Sequence, residues 1–196
     1  MSSARFRMRH LALASCFALL GVLGCASSSK AKLQTTSSAP EQRFSMVGNG
    51  FETTAVISKD GAQGPSVDVG RYDDGGTLRG TLRGRPFQLS IDQAGGKATG
   101  QGGEGPITLN ALEEGDQLKC TGLVTGRPST LTASVERING TIGLCSYDIA
   151  RSGESYVGSR SCAGGISPVT VKFPTTILEW KPINICALMA LLMSTP

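Results

Sequence analysis

From Leu78 to Ile149 the chain runs through short stretches in which apolar and polar side chains alternate. Phe87, Leu89 and Ile91 interleave with Gln88, Ser90 and Asp92, and Ile107, Leu109 and Ala111 with Thr108 and Asn110. Leu131, Ala133 and Val135, then Tyr147 and Ile149, carry the alternation further. A period of two puts one set of side chains on a buried face, so each stretch predicts a half-buried strand. A second stretch precedes the first and third of these, with Leu78, Gly80 and Leu82 in one case and Leu118, Cys120, Gly122 and Val124 in the other. The unit is therefore strand, turn, strand.

The units recur. Gly80, Pro86 and Leu89 return as Gly100, Pro106 and Leu109, as Gly122, Pro128 and Leu131, and in weaker form as Gly140, Ser146 and Ile149, with starts 20, 22 and 18 residues apart. That period is the range of stacked supersecondary units. Gly84-Arg85-Pro86 and Gly126-Arg127-Pro128 supply turn chemistry, and each proline falls where a strand begins and removes no interior ladder bond. Gly80, Gly100 and Gly122 share the presumed inner face, where they let a sheet bend. The predicted fold is all-β: an antiparallel meander of about eight to ten short strands, closed or partly closed into a barrel that leaves no open edge. A parallel β-helix is the alternative, since its coils have similar length and also alternate.

The remaining elements lie at the two ends. The run Ile183 to Met193 is nearly all apolar, too short to span a bilayer, and follows Pro182, which suits a first helical position. It predicts a short buried core helix, with a plug in a barrel mouth or a membrane contact as alternatives. Trp180, Phe173 and Leu178 are expected to pack beneath it. At the other end, Arg5, Arg7, Arg9 and His10 precede an apolar run from Leu11 to Gly24, the order of a secretory signal. Fourteen helical residues reach roughly 21 Å, short of the ~30 Å hydrocarbon core.

That run ends in Val22-Leu23-Gly24-Cys25, which resembles the lipobox of bacterial lipoproteins. The resemblance covers residues 1–25. It implies removal of residues 1–24, attachment of a diacylglycerol to the Cys25 sulfur and acylation of the new amino terminus. Several acyl chains on one residue give a stable anchor where one chain holds only marginally. Cys16 lacks this context, because the apolar run continues past it. In such lipoproteins an Asp after the cysteine favours the inner membrane; Ala26 here points to the outer one. From Cys25 to Arg43 the chain is rich in Ser, Thr, Ala, Lys and Gln, and only Leu33 is a sizeable apolar residue, so it reads as a tether of about 23 Å. A single β-rich domain then occupies residues 44–196.

Composition narrows the chemistry. The chain has 19 basic and 15 acidic residues, and loss of Arg5, Arg7 and Arg9 leaves the mature protein at about +1, with no electrostatic case for nucleic acid. The one histidine, His10, leaves with the signal, which removes Ser-His-Asp and Cys-His nucleophiles and histidine-ligated metals. Gly100-Gln101-Gly102-Gly103-Glu104-Gly105 matches the dinucleotide glycine pattern, but a strand follows where the fingerprint needs a helix. Asp73-Asp74 and Glu113-Glu114-Gly115-Asp116 read as solvated turns, without the ligand spacing of a calcium loop.

Beside the lipidated Cys25, four cysteines remain after processing, Cys120, Cys145, Cys162 and Cys186, in an oxidising compartment. Ser152-Gly153-Glu154-Ser155 has glycine first of two central residues, the signature of a type II′ hairpin. Residues whose numbers sum to 307 then face each other, which sets Cys145 opposite Cys162. Cys120 and Cys186 pair by elimination. A four-thiolate zinc site is the competing reading, without a Cys-x-x-Cys pair to support it. No cofactor and no metal are expected. The expected function is that of a non-catalytic, membrane-anchored structural or interaction module with an envelope partner; the alternative is a carrier of a small apolar ligand in a barrel cavity.

Cys25→Ala is expected to abolish lipid attachment and to release or trap the precursor. Labelling with a radioactive fatty acid measures this, and equal incorporation by variant and wild type would overturn the lipobox reading.

Overall fold

The computed structural model describes residues 42–194. Among the described residues fourteen strands form one sheet. They are β1 (Arg43–Gly48), β2 (Phe51–Ser58), β3 (Gly61–Gly64), β4 (Val67–Tyr72), β5 (Thr77–Leu82), β6 (Arg85–Asp92), β7 (Lys97–Gly102), β8 (Gly105–Glu114), β9 (Gln117–Val124), β10 (Arg127–Ala133), β11 (Arg137–Ile142), β12 (Cys145–Ser152), β13 (Ser155–Cys162) and β14 (Gly165–Lys172), followed by the helix α1 (Pro182–Met193). Each strand pairs antiparallel with the next, and β1 also pairs with β14, so the barrel closes.

The closed all-β barrel with a short C-terminal helix is the fold that the alternation predicts, and its antiparallel ladders exclude the β-helix. The strand number is a correction. Eight to ten strands undercount because residues 43–72 add β1 to β4, where alternation is short and β3 carries only Ala62 as an apolar side chain. Tight turns also let many short strands fit. Arg83 and Gly84 both have positive φ, as do Thr125 and Gly126, which makes these two-residue turns of type I′. Gly153 alone is positive in its turn, and Ser152 pairs with Ser155, as type II′ requires.

The wall is apolar inside and polar outside. Phe87, Leu89 and Ile91 of β6 are buried while Gln88, Ser90 and Asp92 are exposed, and β12 repeats this with Cys145, Tyr147 and Ile149 against Ser146 and Asp148. A membrane-spanning barrel turns an apolar band outward, the reverse of this arrangement. Val135 departs from the expected strand pattern: it sits in the turn after β10 and is exposed.

The lumen is filled by α1. Every residue from Ile183 to Met193 except Ile185 is buried, so the helix has no polar face to show to solvent. It lies closest to β6 through β9. Cys186 is joined to Cys120 of β9, with Cα atoms 5.7 Å apart. The entry end is closed by the segment before the helix. Ile177 and Trp180 are buried there, and the Trp180 indole N–H donates to the Ser58 carbonyl at 3.2 Å. Leu178, expected to pack beside Trp180, instead faces solvent, and Ile177 takes the inward position. Phe173 does pack inward, with its ring centroid 5.2 Å from that of Phe44. Asn184, polar and buried, donates from Nδ2 to the Gly75 carbonyl at 2.8 Å.

Glycine shapes the wall at one repeated place. A Cβ on Gly80, Gly100, Gly122, Gly140 or Gly158 would overlap a backbone carbonyl oxygen of the preceding strand: Asp68, Gln88, Thr108, Thr130 and Asp148 respectively. Each of these odd-numbered strands thus bends onto its neighbour's main chain, a bend that needs no side chain at that point.

Gly122→Ala combines overlap with Thr108 O and a φ of +146°. It is expected to destabilise the barrel by about 3 kcal/mol or more. Gly84→Ala, in open space at φ +74°, meets only the left-handed penalty of about 1–2 kcal/mol. Urea midpoints of the two variants test the difference, and equal losses would remove close approach as the reason for the inner glycines.

Candidate functional site

The turns from β5 to β6, β7 to β8, β9 to β10, β11 to β12 and β13 to β14 all lie at one end of the barrel, where α1 also ends. They surround a cavity of about 360 Å³ whose lining includes Arg83, Arg85, Arg127, Arg160 and Glu104. Leu82, Phe87, Ile107 and Leu191 supply its apolar surface. A recess that joins apolar walls to a few converging polar groups is the usual form of a ligand site.

Arg160 is the unusual member. It pairs with Tyr147 across the β12–β13 ladder, so both side chains point into the barrel, and Arg160 is only 5% exposed. Its Nε donates to the Tyr147 hydroxyl at 3.0 Å, and its Nη2 lies 3.2 Å from the Cys145 sulfur. Its guanidinium carbon stands 4.6 Å from the centroid of the Phe51 ring. The Tyr147 hydroxyl in turn donates to the Met193 carbonyl. Arg83, in the β5–β6 turn, donates from Nη2 to the Ser194 carbonyl at 3.0 Å. Two carbonyls at the negative end of the α1 dipole are thus met by donors held on the barrel rim.

Charge is crowded here. Burial pushes Arg83 below its ordinary value; Glu104 opposes this, and the neighbouring Arg160 and Arg85 add to it. Arg85 lies 3.5 Å from Glu104, both well exposed, a pair of small energetic weight. Burial holds the Tyr147 phenol above its ordinary value, and the adjacent Arg160 pulls the other way without winning.

A second recess, about 890 Å³, lies against the outside wall over β2 to β6. It is larger, and part of it is occupied by a stacked pair of its own lining residues. The Arg79 guanidinium sits 4.1 Å from the Tyr72 ring centroid, and that ring also covers Gly70. The mouth is the stronger candidate, because it joins apolar walls to several polar groups at the end of α1.

The residues singled out in the sequence fall as follows. Cys145 and Cys162 are bonded across β12 and β13, with Cα atoms 4.3 Å apart, and both line the mouth. The hairpin register and the pairing by elimination both hold, and the two bonds leave no four-thiolate zinc cluster. Cys25 lies outside the described residues. Gly100 to Gly105 span the end of β7, its turn and the start of β8, with no helix after them. The Asp73 carboxylate accepts from the Thr77 hydroxyl at 3.0 Å, a turn contact. Among the described residues no helix is long and apolar enough to cross a membrane. The four arginines were not anticipated as a group. Arg85 and Arg127 follow turn glycines at matching places, and the 307 register faces Arg160 with inward Tyr147; together these were the available signal. No family model, curated protein or solved structure matches the chain.

A phenol held above its ordinary value keeps its proton longer folded than unfolded. The stability it contributes is complete below the unfolded value of 10.0 and declines as pH rises towards the folded one. Wild-type unfolding midpoints are expected to fall steeply above pH 10, and more gently in Tyr147→Phe, where only Tyr156 among the raised phenols remains. At neutral pH the same variant leaves the Met193 carbonyl and Arg160 short of a partner and is expected to cost about 1–3 kcal/mol. Equal alkaline slopes in the two proteins would contradict this assignment.

Proposed function

We propose that the chain is a lipid-anchored module of the bacterial cell envelope, tethered through Cys25 at the outer membrane. In this reading it is non-catalytic and presents its rigid wall and mouth to another envelope component. The observation that carries the reading is the filled lumen. A carrier of a small apolar ligand needs an empty apolar cavity, and here α1 occupies that volume with Leu188, Leu191, Leu192 and Met193. Recognition is left to the outside wall and the rim. The lipobox-type sequence before Cys25 and the polar tether support the anchoring, since a tether of about 23 Å holds a domain just clear of headgroups.

The barrel closes on itself within the described residues, so a chain beginning at Ala26 keeps every contact named above. Native mass spectrometry of that chain is expected to give the bare polypeptide mass. A co-purifying lipid-sized adduct that survives dilution would favour the carrier instead.

A further inference from the structure

The recess on the outside wall carries an inference that goes beyond the proposed function and does not depend on the anchor. We propose that it binds a short neutral saccharide, hydrogen-bonded to Gln63, Asp68, Arg79 and Gln88 over a floor of glycine. One outward row of the wall runs Ser58, Gly61, Gly70, Arg79 and Gln88 across β2 to β6, each residue paired with the next. Two neighbouring places in that row therefore have no side chain. A Cβ on Gly61 would overlap the Val69 carbonyl oxygen, so the fold itself keeps this place bare. At a strand spacing of about 4.8 Å, the trough between Ser58 and Arg79 is about 14 Å wide. Val56, Gln63 and Asp68, the next outward row, form one flank.

The other flank is Tyr72, whose ring covers Gly70. The Arg79 guanidinium carbon lies 4.1 Å from the centroid of that ring, so the stack holds a flexible side chain in place. Among the described residues Arg79 makes no hydrogen bond or ion pair, and neither do the side chains of Gln63, Asp68 and Gln88. Their donors and acceptors are open to a ligand. Arg71 differs, because its guanidinium donates to the Lys59 and Asp74 carbonyls at 3.2 and 2.9 Å and is committed to the wall.

The chemistry of the lining selects the ligand. Two carboxylates, Asp60 and Asp68, balance two guanidinium groups, Arg71 and Arg79, so no net charge draws an ion. Sugar hydroxyls both donate and accept. They match Arg79, which only donates, Asp68, which only accepts, and the Gln63 and Gln88 amides, which do both. The flat C–H face of a sugar ring needs a smooth, partly apolar floor, and the bare backbone at Gly61, Val56 and the Tyr72 ring supply one. A wholly apolar ligand would leave these polar groups covered and unpaired.

The chain beginning at Ala26, isotope-labelled and titrated with N-acetylglucosamine trimer and separately with maltotriose, tests the site through its amide NMR shifts. Saturable shifts centred on Gly61 and Gly70 are expected with at least one of the two sugars. A response to the first alone assigns an acetamido sugar, and a response to both assigns recognition of ring hydroxyls. Gln88→Ala is expected to weaken binding about three- to ten-fold, whereas Gln117→Ala, the same loss from an exposed residue at the start of β9, leaves it unchanged. Tyr72→Ala, which releases Arg79, is expected to weaken it about ten-fold, and Tyr72→Phe, which keeps the stacked ring, to bind as wild type does. The proposal is overturned by absence of saturable shifts with either sugar, by shifts centred on mouth residues such as Thr125 and Gly143, or by equal effects of Gln88→Ala and Gln117→Ala.

Discussion

Burial of a helix with no polar face is the constraint on which this structure depends. An apolar helix normally packs one stripe against a core and leaves the rest to water. Here ten of its twelve residues are buried, so α1 requires cover on all sides. A sheet of fourteen strands closed on itself provides that cover. A barrel of about eight strands is filled by its own inward side chains, whereas a larger one leaves a lumen that something must occupy. An α-helix with side chains is about 10–12 Å across, and α1 supplies the missing core. Helix and barrel are thus each other's condition: without α1 the wall would enclose a void, and without the wall α1 would expose Leu188, Leu192 and Met193.

The details of the wall follow from that arrangement. Glycines at matching places on β5, β7, β9, β11 and β13 allow each strand to bend onto the previous one, and the inward side chains beside them then meet α1. The Cys120–Cys186 bond ties helix to wall over a sequence separation of 66, and the Cys145–Cys162 bond spans only 17 and clamps the rim. Polar contacts mark both helix ends. Asn184 reaches the Gly75 carbonyl at the entry, and Tyr147 and Arg83 meet the last carbonyls at the exit. The helix is fixed along its axis as well as around it.

The same end of the helix explains why cations gather at the mouth. Carbonyls that lack an intrahelical partner attract positive charge, and Arg83 answers that demand directly. A mostly apolar interior admits Arg160 because a phenol, a disulfide sulfur and an aromatic face meet it there.

Much of this was legible in the sequence because strand alternation and turn chemistry are local. The period of two placed Phe87, Leu89, Ile91, Ile107 and Leu109 inside, Gly153 set the hairpin, and that hairpin set Cys145 against Cys162. The apolar run after Pro182 announced a buried helix. What the sequence did not contain was the long-range outcome. The number of strands depended on β1 to β4, whose short stretches have little alternation to read, and on whether β1 would meet β14. The position of α1 in the lumen, the outward turn of Leu178 and Val135, and the meeting of Arg83 and Arg85 of one hairpin with Arg127 and Arg160 of two others were decided only when the sheet closed. Closure brings residues such as Arg83 and Arg160 together across nearly eighty positions of chain, and no local pattern records a contact of that range.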